Sequence, residues 1–202
     1  MIMVKWWIGI AAGLSVWGLA APGEAIPGQS ADQTAAWIQE NAALGAEPGE
    51  TLLINRTQPD GTRFSFQASV APPGRIINPL DRETIRSERM TFFKPEGLTP
   101  QDLEAAIKAI YGPEIAADLE QAEEILRYPT PQMLSAPATD ENFLERAIQG
   151  VVKQGDLLVY WMELTQNRDG TVQQGQAVVF EEEWLPKITE ELSQRHKLNI
   201  IP

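Results

Sequence analysis

The chain has 202 residues and no cysteine, a length that suits one domain with a core able to stand without covalent staples. Disulfides, thiolate metal sites, cysteine nucleophiles and lipid attachment through cysteine are thereby excluded. The formal net charge of −12 argues against general nucleic-acid binding, which needs Lys and Arg to neutralise phosphates, and favours solubility or basic partners.

Residues 1–25 read as an export signal. Lys5 supplies an early cation, an apolar run follows from Trp6 to Ala21, Pro22 ends it, and Gly23 and Ala25 are small residues where a signal peptidase reads. Cleavage is expected after Ala25. Retained, the segment would act as a membrane tether, with Trp6, Trp7 and Trp17 suited to the interface.

In the remaining chain, Ser30-Ala31-Asp32-Gln33 has the form of a capping box, and Ala31, Ala35, Ile38 and Ala42 recur at helical spacing, which predicts a helix over 31–43. Thr51–Asn55 and Arg63–Val70 read as strands joined through Pro59-Asp60-Gly61. In the second, Phe64, Phe66, Ala68 and Val70 share one face while Arg63, Ser65, Gln67 and Ser69 share the other. Ala71 to Asp81 holds Pro72, Pro73, Gly74 and Pro79 and reads as a loop, after which a strand is expected over 86–94.

Thr99-Pro100-Gln101-Asp102 opens a helix with Leu103, Ala106, Ile107, Ile110 and Tyr111 on one face, closed by Gly112. Pro113 permits a second helix with Ile115, Leu119, Ala122 and Leu126 as its stripe and Glu114, Asp118, Glu120, Glu123 and Glu124 on the solvent side. Arg127 to Ala138 reads as a proline-stiffened crossover. Arg146–Val152 alternates again, and Lys153-Gln154-Gly155 turns it into Asp156–Phe180, a hairpin centred on Asp169-Gly170 and the strongest structural signal in the chain. A last helix carries Leu185, Ile188 and Leu192 as its stripe, with Arg195, His196 and Lys197 suiting the negative end of its dipole.

The resulting order, α-βββ-αα-βββ-α, predicts an α+β fold with about six strands in two three-stranded units and helices packed against an antiparallel sheet, in one domain over 26–202. The two Asp-Gly-Thr hairpins also align weakly with each other.

Signals for chemistry are few. His196 is the only histidine, which rules out a multi-histidine metal centre, and no Gly-x-Ser-x-Gly elbow or glycine-rich phosphate loop is present. Asn167-Arg168-Asp169-Gly170 resembles part of a calcium loop but lacks the downstream glutamate, Gln176 standing at that position. No cofactor or metal is expected. Glu163 lies inside the most apolar strand, where a buried carboxylate requires a raised pKa or a partner such as Arg. Charge is segregated: Arg56 to Lys94 holds seven cations against four acids, whereas Glu96 to Arg127 holds eight acids against two cations.

These features point to an exported, non-enzymatic binding or assembly module of the periplasm, extracellular space or an equivalent lumen. Its expected partner is a protein or an anionic ligand docking on a basic patch of Arg82, Arg86 and Arg89. One alternative is a hydrolytic enzyme using carboxylates near Glu163; another is a membrane-tethered subunit that keeps its N-terminal segment.

Overall fold

Alternation makes one face of each long strand apolar and the other polar, and the architecture follows from burying the first. The computed structural model describes residues 27–75, 83–135, 139 and 142–196; the expected export signal and Arg82 lie outside these. The strands are β1 (Leu53–Thr57), β2 (Arg63–Ser69), β3 (Ser87–Phe93), β4 (Glu123–Tyr128), β5 (Ile148–Gln154), β6 (Val159–Gln166) and β7 (Val172–Phe180). The helices are α1 (Ala31–Glu40), α2 (Pro100–Gln121), α3 (Pro131–Ser135), α4 (Phe143–Ala147) and α5 (Leu185–His196). This is an α+β protein with one antiparallel sheet, ordered β1-β2-β3-β7-β6-β5-β4.

Helix starts form where the capping chemistry places them. Ser30 and Gln33 close a reciprocal box, and Thr99 does the same with Asp102 ahead of Pro100. Gly112, at φ 81°, breaks α2 into two helical halves at the expected place, a conformation that only glycine adopts without steric cost. The two Asp-Gly hairpins share one turn geometry. Asp60 and Asp169 each accept the amide two residues on, from Thr62 at 2.8 Å and Thr171 at 2.9 Å. Turn chemistry alone accounts for their common Asp-Gly-Thr.

The sheet has seven strands where six were expected. The second half of α2 stops at Gln121, and Glu123–Tyr128 forms edge strand β4 against β5, pairing Leu126 with Val152 and Tyr128 with Gly150. Leu126 fits a helical stripe with Leu119 and Ala122, but it also alternates with Tyr128. Pairing and burial of both residues decide for the strand. The expected crossover therefore begins inside β4, passes a cis Tyr128–Pro129 bond and contains α3. Arg146 and Ala147 belong to α4, so the C-terminal meander β5-β6-β7 starts at Ile148.

The sheet carries a core on each side. On the first face, Ile54, Phe66, Met90, Tyr160, Met162, Ala177 and Val179 pack under Trp37 and Ile38 of α1 and Leu103, Ile107, Tyr111 and Leu119 of α2. On the second, Leu126, Tyr128, Val152, Val159, Trp161, Val178 and Phe180 pack under Ile188 and Leu192 of α5. Each such fully buried side chain contributes roughly 1.5–3 kcal/mol relative to exposure. Among the described residues the second core reaches only part of its face.

Candidate functional site

Residues on the uncovered part of the second face follow from register. Asn55 lies opposite Ser65, Ser65 opposite Thr91, Thr91 opposite Gln176, and Gln176 opposite Glu163, so one polar row crosses five strands. Thr57, Arg63 and Phe93 continue this face to one side, and Thr165 and Gln174 adjoin Glu163 and Gln176. Together they line a concavity of about 540 Å³. Gln176 also lines a second cavity of about 310 Å³ between the sheet and α5, with Gly74, Arg75, Arg89, Trp161, Ile188, Glu191, Leu192 and Arg195.

Glu163 lines the first cavity, is bonded to Gln176 and Arg195 of the second, and is 9% exposed. It accepts from the Tyr128 hydroxyl at 2.6 Å, from Gln176 Nε2 at 3.2 Å and from Arg195 Nη2 at 2.5 Å. The Tyr128 hydroxyl in turn accepts from Trp161 Nε1 at 2.7 Å. His196 is buried, stacks on Tyr128 with ring centroids 4.0 Å apart, and accepts from Arg195 Nε at 3.0 Å. Burial, with the Arg195 charge beside it, lowers the His196 pKa, so the imidazole is held neutral. The dipole role expected for His196 gives way to packing. Glu163 and this cluster lock the C-terminal end of α5 onto the sheet.

The basic residues singled out by sequence do not all converge. Arg89 projects from β3 into the second cavity, whereas Arg86 is drawn to Glu183 at 3.1 Å and Glu181 at 3.9 Å. Arg75 and Arg195, absent from the sequence expectation, complete the basic lining. One signal for Arg195 was available: it lies three residues after Leu192 on the stripe that faces the sheet.

Two further acids are buried, one of them, Asp118, where solvent was expected. Asp118 of α2 accepts from the Leu157 and Leu158 amides at 3.0 and 3.3 Å and from the Tyr160 hydroxyl at 2.6 Å, tying that helix to the β5–β6 turn. Glu88 is fully buried on the first face, and its one partner is the Tyr111 hydroxyl at 2.5 Å. Burial pushes its pKa up to about 8, so it is a neutral acid at pH 7. Its alternation with Met90 and Phe92 was the available sign.

For catalysis, Glu163 and Glu191 are the only acids among the described residues that line the two cavities. Glu163 spends both oxygens on three donors, and Glu191 is held by Lys187 at 2.8 Å and the Arg75 amide at 2.8 Å. Among the described residues no cluster of three or more His, Asp or Glu is placed to hold a metal ion, and no helix is long and apolar enough to cross a membrane. The class so defined is an α+β protein with a partly uncovered antiparallel sheet and a basic cavity at its margin. No family model matches the chain, and neither a curated protein nor a solved structure does.

Proposed function

We propose that this protein is an exported, non-enzymatic binding module whose ligand lies on the uncovered part of the second sheet face. The observation that carries the reading is Arg89: it faces a concavity with no carboxylate or ring partner among the described residues, in a chain of net charge −12. A half-buried guanidinium with no charge partner is best met by an anionic group, which it binds through charge-assisted hydrogen bonds. The same geometry weighs against the hydrolytic alternative, because a carboxylate already saturated by Tyr128, Gln176 and Arg195 is poorly placed to move protons.

Amide-resolved NMR titration of the mature protein with a panel of acidic, basic and neutral peptides and small ligands tests this. Shifts are expected to cluster at 55–57, 63–65, 89–93 and 174–176, and a Ser65→Trp variant that fills the concavity should suppress them. Shifts confined to other surfaces would reject the binding face. Turnover of a chromogenic ester or glycoside that Glu163→Gln abolishes would favour the enzyme instead.

A further inference from the structure

We propose that the ligand is an acidic saccharide, its anionic group held by Arg89, Arg75 and Arg195 and its hydroxyls laid on the polar row of the sheet. The inference rests on the binding-module reading and names what that module takes. Three observations carry it.

The first is the distribution of charge partners. Most described cations are neutralised: Arg56 by Glu50, Lys94 by Asp102, Lys108 by Glu120, Arg127 by Glu124 and Lys153 by Glu104. Arg63 lies over the Phe93 ring. Among the described residues the Arg75 and Arg89 side chains have no such partner, and both line the same cavity. Arg195 commits Nη2 to Glu163 and Nε to His196. Arg75 and Arg89 face one glutamate that Lys187 already holds, while the Arg195 charge is met by Glu163, and this makes the cavity a receptor for an oxyanion, whose geometry the planar guanidinium matches.

The second is the chemistry of the adjoining concavity. Asn55, Ser65, Thr91, Thr165, Gln174 and Gln176 each both donate and accept, which is the pattern that sugar hydroxyls need. A lipid tail finds no open apolar lining, since Ile188 and Leu192 are buried and Phe93 is capped by Arg63. An extended peptide adds to a sheet edge, where backbone groups are free, and this row runs across the sheet interior.

The third is size. The two spaces, about 540 and 310 Å³, share Gln176 in their linings, and each far exceeds what a lone sulfate or phosphate fills.

The test is calorimetric titration of the mature protein with a short oligogalacturonate, a sulfated galactose oligomer, the neutral galactose oligomer of equal length, and inorganic sulfate alone. At least one acidic oligomer should bind, at least about tenfold more tightly than the neutral oligomer, and weaken with salt. Which acidic oligomer is preferred identifies a carboxylate or a sulfate as the anion. Arg89→Glu, or Arg75→Glu at an exposed position outside the strands, should abolish that preference with the circular dichroism unchanged. Thr91→Val should weaken the oligomer and leave sulfate alone. Sulfate binding as tightly as the oligomers would overturn the saccharide. Equal binding of neutral and acidic oligomers, unaffected by Arg89→Glu, would overturn the anion subsite while leaving the binding face in place. No binding of any probe would overturn the inference, and the broader ligand panel would then decide the binding reading by itself.

Discussion

Glu88 is the residue on which stability and pH are most directly linked. Its carboxyl is fully buried, bonded only to the Tyr111 hydroxyl, and raised from 4.5 to about 8. Because the folded value exceeds the unfolded one, the folded chain binds the extra proton, and stability falls as pH rises from 4.5 to about 8. The limiting slope is about 1.4 kcal/mol per pH unit. Glu88→Gln keeps the shape and removes the titration. Its denaturant midpoint should overtake that of the parent as pH rises from 5 to 8, and parallel pH profiles would refute the assignment. Gly150 acts through space. A Cβ there would collide with the Tyr128 ring lying across it, so Gly150→Ala must displace the tyrosine that joins Glu163, Trp161 and His196. A loss of roughly 1–3 kcal/mol in urea unfolding is expected from such overpacking.

At the scale of elements, α5 is anchored by Ile188, Leu192 and the half-buried Leu185, by bonds of Lys187 and Glu191 with the 73–75 segment, and by the titratable cluster at its C-terminal end. Leu192→Ala should cost about 2–5 kcal/mol, because the cavity forms between the helix and Trp161, Val178 and Phe180. His196 faces Arg195, Tyr128 and Glu163. Its folded pKa is depressed below 6.5, so its contribution is present above that value and is lost as pH falls through the folded one. The protection of amides in 190–196, corrected for the intrinsic pH dependence of exchange, is therefore expected to fall on acidification below 6.5 ahead of the protection in β6. A uniform fall in protection across both would remove His196 as the cause. Elements with local signals were legible: caps at Ser30 and Thr99, the break at Gly112, and both Asp-Gly hairpins. Strand β4 was not, since Leu126 satisfies helical and alternating spacing equally and only β5 distinguishes them.

Across the whole molecule, β6 and β7 supply residues to both cores, which makes the two layers one cooperative unit at neutral pH. Trp37 reports on the first core and Trp161 on the second. With the other tryptophans replaced by Phe, their fluorescence transitions in urea should coincide with circular dichroism, and an earlier Trp161 transition would show α5 unfolding separately. The charge segregation seen along the chain does not survive as two opposed surfaces. Lys94, Lys108, Arg127 and Lys153 neutralise acids of the 96–127 stretch, and Arg86 is taken up by Glu181 and Glu183. What persists is local, the cavity lined by Arg75, Arg89 and Arg195.

Alternation, caps and turn residues determined the α+β class, the C-terminal meander and the polar face of β2, because those depend on neighbours a few residues apart. Burial of Glu163 with Arg195, of Asp118 under the β5–β6 turn and of Glu88 beneath Tyr111 joins residues 23 to 42 positions apart in the chain. Only the tertiary structure decided those, and with them the cavity, because a charged side chain is placed by what packs over it and by the partner it finds there, and neither is encoded in local spacing.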